Sequence, residues 1–140
     1  IADRSYDVEN NIKPLLNENK IVIIDRYSPS TIAYGSASGI SMDLLINLNS
    51  IFPLPDKIIY LDIDPKEAME RIDNSERFHN LELLEKVRES YKELFKRPPF
   101  FKITNIINVN DKSRDEVNRM VSEVINNVLA QEKMGFKADN

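Results

Sequence analysis

The sequence predicts an α/β fold: a parallel sheet with helices on both faces. Three observations carry that prediction. Short apolar runs at 21–24, 57–61 and 103–107 are rich in isoleucine, and four to five residues suit a buried strand better than a helix. Longer stretches with apolar residues three and four apart lie between these runs, so strands alternate with helices as in βαβ units. The first run stops at Asp25-Arg26-Tyr27, an acid, a base and an aromatic at a strand's carboxyl end, where open α/β sheets bind their ligands.

The elements follow in order. Asp3 to Leu16 reads as a helix, with Tyr6, Val8, Ile12, Leu15 and Leu16 near helical spacing, and Pro14 breaks or kinks it near its end. Residues 17–19 turn into the strand Ile21–Ile24. Thr31 to Asn49 is helical, interrupted by a bend across Gly35–Gly39. Pro53 and Pro55 mark a loop before the second strand, Lys57–Leu61. Asp64-Pro65-Lys66-Glu67 opens a helix with a cap, an N1 proline and an N3 glutamate, running to about Ile72. A short polar stretch at 73–80 precedes the helix from Leu81 to about Lys96. The apolar face of that helix is Leu84, Val87, Tyr91, Leu94 and Phe95. Pro98-Pro99 ends it, Ile103–Ile107 is the third strand, and Ser113-Arg114-Asp115-Glu116 is a second capping box opening a helix to about Glu132. The tail 134–140 is expected to fray.

With 140 residues the chain suits one domain with a real core. Its 19 basic and 23 acidic side chains give a formal net charge of −4, which argues against bulk non-specific nucleic-acid binding. No cysteine is present, and the single His79 leaves no zinc ligand set. No apolar run is long enough to span a bilayer and no signal peptide is visible, so the expected setting is cytoplasmic.

Four blocks, in order along nearly the whole chain, resemble the thymidylate kinases. They are Ala2-Asp3-Arg4 with Ile12-Lys13-Pro14 and Lys20–Tyr27; Ser30-Thr31-Ile32-Ala33-Tyr34; Ile59 through Asp64-Pro65-Lys66-Glu67-Ala68 to Arg71-Ile72; and Glu76-Arg77-Phe78 with Val87, Arg88 and Tyr91. The resemblance implies a three-layer, P-loop-kinase-like sheet and ATP- and Mg²⁺-dependent phosphorylation of thymidine monophosphate (dTMP) to the diphosphate. It also implies a homodimer formed through the helices at Ser5–Leu16 and Ile40–Asn49. The family opens on a strand and a Walker A loop, G-x-x-x-x-G-K-S/T, and no such motif occurs in these residues. The chain therefore resembles about the C-terminal two-thirds of the family, a partial kinase domain over 1–140 with its lid near 73–80. The absent strand lies, in the family sheet, between the 21–24 and 57–61 strands. The 21–24 strand is accordingly expected to lack a partner, and this chain alone to be inactive.

By the same resemblance each site residue has a role, set against a plainer one. Asp25 holds Mg²⁺, or else caps the following helix. Arg26 grips the acceptor's monophosphate through a guanidinium fork, or else pairs with Asp3 or Asp25. Arg4 hydrogen-bonds the base; a solvated helix arginine is the alternative. Thr31 meets the base edge and Tyr34 packs on the sugar, both three apart on one helical face, unless they simply pack the helix. Gly35 stands where relatives often carry a polar residue, which implies one base contact fewer. Arg71 stacks on adenine and Arg77 closes on the transferring phosphoryl group; a solvated charge run explains both otherwise. Phe78 covers the substrate or anchors the lid, and His79 has no assigned role. The loop with Asn110 frames adenine, although a plain loop with Ser113 as helix cap accounts for it too. Asp62, Asp64 and Glu67 read as structural, the last two through capping. Two rival functions stand beside this one: a deoxynucleoside kinase of the same superfamily, and a non-catalytic nucleotide-binding or dimerisation module.

Overall fold

The computed structural model describes residues 2–71 and 81–135. The expected lid at 73–80, with Arg77, Phe78 and His79, lies outside them. The N-terminal stretch is helical throughout but changes register: α1 (Ala2–Asp7), a π-helical turn (Val8–Ile12) and α2 (Lys13–Asn17). Pro14 sits in the first turn of α2, where its missing N–H is harmless, and the backbone N–H of Lys13 reaches back five residues to the Val8 carbonyl. The expected break is thus a widened turn. A left-handed Asn19 (φ 56°) then closes α2, with Asn19 N–H on the Leu16 carbonyl and Lys20 N–H on that of Leu15.

Residues 21–24 do not form the expected strand. Among the described residues, no neighbouring chain offers them a hydrogen-bond ladder, and a strand does not exist without one. Val22 is half-buried against Val8, Ile12 and Phe52, while Ile21 and Ile23 are 64% and 77% exposed. The apolar run is therefore present as sequence and unpaired as structure.

α3 (Ser28–Ala37) has Pro29 in its first turn and runs straight through Gly35. The turn belongs to Gly39 alone (φ 92°), where the Gly39 and Ile40 N–H groups take the Ser36 and Gly35 carbonyls. Gly35 has a packing role: a Cβ there would lie 2.8 Å from Leu45 Cδ1. Close approach to α4 (Met42–Asn49), capped by the Ser41 side chain, explains its small size. β1 (Ile58–Asp62) and β2 (Thr104–Asn108) pair in parallel, Ile58 opposite Thr104 and Asp62 opposite Asn108. α5 (Pro65–Glu70), α6 (Leu81–Leu94) and the short α7 (Phe100–Ile103) connect them, and α8 (Arg114–Gly135) follows. β2 starts one residue later than expected, because Ile103 completes α7.

The main core holds Ile32, Leu45, Leu94, Phe95 and Phe100, joined by Ile58, Tyr60 and Tyr91. Ile32 and Leu94 are fully buried, each worth about 1.5–3 kcal/mol of apolar transfer. Tyr60, Tyr91 and Phe95 pack as tilted rings with centroids 4.8–5.6 Å apart. Burial pushes both phenols above their ordinary value. This layer fastens α3 and α6 to the sheet, and α3 carries the residues discussed next.

Candidate functional site

Tyr27 is the N-cap of α3 and offers it no side-chain hydrogen bond, so Asp25 and Arg26 leave the helix end free. Both are exposed. Asp25 makes no hydrogen bond or ion pair with any described residue, which removes the capping role as its explanation. Arg26 likewise pairs with neither Asp3 nor Asp25. Its backbone is left-handed (φ 61°), a conformation that costs a side-chain-bearing residue of order 1 kcal/mol and that gathers at working sites. Its guanidinium lies 5.4 Å from the Tyr34 ring centroid.

Arg4 approaches the same face of α3 from α1. One terminal nitrogen donates to Thr31 Oγ1 (2.7 Å), the other to Asn49 Oδ1 (2.7 Å). The guanidinium stands 5.2 Å from the Tyr27 ring centroid and 5.4 Å from that of Phe52. Arg4 is thus far from a solvated helix arginine. No carboxylate pairs with it among the described residues. Tyr27 Oη is buried with no hydrogen-bond partner among them, and burial raises its pKa, with Arg4 opposing and Asp7 adding.

Thr31 and Tyr34 therefore lie between two guanidiniums, Arg4 beside Thr31 and Arg26 beside Tyr34, along about 5 Å of helix. The strip can take a ligand with an anion at one end and hydrogen-bond acceptors at the other. For Mg²⁺ the fit is acceptable: the ion is commonly held by one or two carboxylates plus water and phosphate, and Asp25 is one exposed, uncommitted carboxylate. No described cluster of three or more acidic, His or Cys residues offers a preformed metal cage.

The second expected site lies across the sheet's carboxyl end. Asp62 is a structural acid, as the sequence suggests: Arg88 grips both its oxygens at 2.6 and 3.0 Å and reaches Asp64 at 3.2 Å. That bond raises the Arg88 pKa. Asp64 caps α5 through the Lys66 N–H. The expected reciprocal half of that box is different, however. Asn110 Oδ1, not Glu67, takes the Asp64 N–H (2.7 Å). Glu67 instead binds Arg71 (2.5 Å) and the Asp111 N–H (3.0 Å). A longer contact joins Arg71 to the Val109 carbonyl (3.3 Å). Arg71 therefore reaches the backbone of the loop that carries Asn110, and both side chains are already engaged by protein. The Ser113–Glu116 box is fully reciprocal, which lowers the Glu116 pKa. An open depression of about 380 Å³ beside the clasp is lined by Asp64, Lys66, Glu85 and Arg88, and by none of the strip residues.

Sequence reasoning missed Asn49, Phe52 and the Arg88 clasp. A signal for the first existed: Leu45, Asn49 and Phe52 share the spacing of a buried face, and an amide on such a face needs a partner.

Comparison with known proteins bears on the family and the fold. The thymidylate kinase family model matches residues 1–121. A thymidylate kinase of Leptospira interrogans is 40% identical over 100 residues, 67% of this chain and 49% of the relative. A probable thymidylate kinase of Thermococcus gammatolerans is 37% identical over 132 residues, 91% of this chain and 64% of the relative. The structure of the thymidylate kinase from Candida albicans aligns with a TM-score of 0.67 at 26% identity, over 87% of this chain and 61% of that one. The chain thus spans from about half to just under two-thirds of the lengths of these relatives, with the α/β architecture of P-loop kinases. It belongs to the thymidylate kinase family.

Proposed function

We propose that this chain supplies the acceptor-nucleotide part of a thymidylate kinase that transfers the γ-phosphoryl group of ATP to dTMP. The observation that carries the reading is the strip on α3, with a guanidinium at each end and no described carboxylate neutralising either. Arg26 holds the monophosphate bidentately, Tyr34 lies along the sugar, and Thr31 and Arg4 meet the base. Phe78 covers the nucleotide and Arg77 faces the transferring group. Arg71 and Asn110 border the adenine. Asp25 would hold Mg²⁺, which supplies charge neutralisation on the phosphates when bound. The residues of this chain bind, orient and exclude water, which is most of what phosphoryl transfer asks of a protein.

The proposal extends to a partial kinase domain over 1–140 with its lid near 73–80, to a cytoplasmic location and to a homodimer. Ile40, Leu44, Leu48 and Ile51, spaced three or four apart and 45–70% exposed, form an apolar stripe suited to a second copy. No described helix is long and apolar enough to cross a membrane.

The test offers thymidine and dTMP in turn, with ATP and Mg²⁺, to the protein that carries this sequence. Diphosphate from dTMP supports the reading. Phosphorylation of thymidine alone would transfer it to the deoxynucleoside kinases, and binding with no turnover would favour a non-catalytic module.

A further inference from the structure

Asn49 is a polar side chain only 5% exposed, on a helix face otherwise apolar. Its amide orientation is fixed from both ends. Nδ2 donates to the Leu45 carbonyl (2.8 Å), so Oδ1 faces the Arg4 guanidinium. The flipped amide would set N–H against N–H. Arg4 is consequently held by four groups: Asn49 and Thr31 accept its N–H donors, and it lies over the rings of Tyr27 and Phe52. A guanidinium has five N–H donors, and these two bonds leave three. What a neutral base carbonyl needs from it is a donor in a fixed direction, and a free arginine side chain wanders among many rotamers.

We propose that Asn49 is a positioning residue of the nucleotide site, fixing the Arg4 guanidinium so that its remaining N–H donors meet the base. The inference rests on the reading of Arg4 as the base-facing group. It adds that base recognition depends on a buried amide which itself touches no nucleotide.

The experiment measures affinity by calorimetry for dTMP and for deoxyribose 5-phosphate, which keeps the sugar and phosphate and lacks the base. The ratio of the two affinities isolates what the base adds. In the wild-type protein dTMP binds more tightly, and Arg4→Ala cuts that advantage by about tenfold or more, Thr31 keeping the remainder. Asn49→Leu deletes the acceptor at similar volume and reduces the ratio roughly tenfold, leaving deoxyribose 5-phosphate affinity unchanged. On the Arg4→Ala background Asn49→Leu has no further effect on the ratio, because the amide acts through Arg4. Asn49→Asp keeps the acceptor oxygen toward Arg4, gives up only the Nδ2–H bond to the Leu45 carbonyl, and recovers most of the ratio lost in Asn49→Leu, a rescue that a purely structural role does not predict.

Several results overturn the inference. One is a wild-type ratio in Asn49→Leu while Arg4→Ala loses it, which leaves the Arg4 reading intact. Equal losses for both ligands, or additive losses in the double variant, do the same. If Asn49→Leu does not fold, a folded Asn49→Asp with the ratio of Arg4→Ala is sufficient. A wild-type protein that binds both ligands equally removes the Arg4 reading itself, and this inference with it.

Discussion

Arg26 combines a strained backbone with an exposed side chain, and replacing it separates stability from binding. The left-handed conformation costs of order 1 kcal/mol in any residue with a Cβ and nearly nothing in glycine. The contact with the Tyr34 ring returns about 0.5–1 kcal/mol at an exposed position. Arg26→Ala keeps the strain and loses the ring contact, so it is expected to destabilise the fold by about 0.5–1 kcal/mol. Arg26→Gly loses the same contact and releases the strain, for a net change near zero. The two variants then differ by about 1 kcal/mol, or roughly 3–5 °C in melting temperature for a domain of this size. Both lose the phosphate fork, worth about 1.5–3 kcal/mol, and dTMP affinity falls about 10- to 150-fold. Thermal melts and calorimetric titration with dTMP read the two quantities independently. Wild-type dTMP affinity in either variant would refute the phosphate role. A glycine variant less stable than the alanine one would refute the strain argument.

Other positions carry their own expectations. Gly35→Ala sets a methyl group 2.8 Å from Leu45 Cδ1, and denaturant unfolding should show a net loss of up to about 2 kcal/mol once the roughly 0.5–1 kcal/mol gain in helix propensity is counted, relieved in part by Leu45→Val. Arg88→Leu leaves the half-buried Asp62 carboxylate unpaired, with an expected loss of about 2–3 kcal/mol by the same measurement. Tyr60 and Tyr91 have raised pKa values, so their contribution is complete below the ordinary phenol value of 10.0 and disappears as pH rises through their higher folded values. Stability should therefore fall above about pH 10, and Tyr60→Phe should weaken that fall in melts recorded across the alkaline range.

Local signals were readable in the chain, and long-range pairing was not. The Ser113–Glu116 box and the Asp64 cap depend on residues within three positions, and both form as the spacing predicts. The same local rule points Glu67 at the Asp64 cap. Asn110, 46 residues away, competes for that N–H, and no local pattern reports it. Ile21–Ile24 shows the same division more sharply. Composition identifies a strand, yet a strand is a property of two segments, and these residues have no ladder among those described. Gly35 and Gly39 together spell a bend in the sequence, although only Gly39 needs a positive φ; Gly35 answers to a neighbour on another helix. In the site, the residue types at 4, 25, 26, 31 and 34 were legible from the resemblance, whereas the amide and ring that hold Arg4 required the packing of α1 against the end of α4.

A structure of the protein with dTMP tests the central claim most directly. The account predicts the monophosphate within hydrogen-bonding distance of the Arg26 guanidinium, the sugar along Tyr34 and the base at Arg4 and Thr31. A nucleotide bound elsewhere, with Arg4 and Arg26 both untouched by it, would contradict the account.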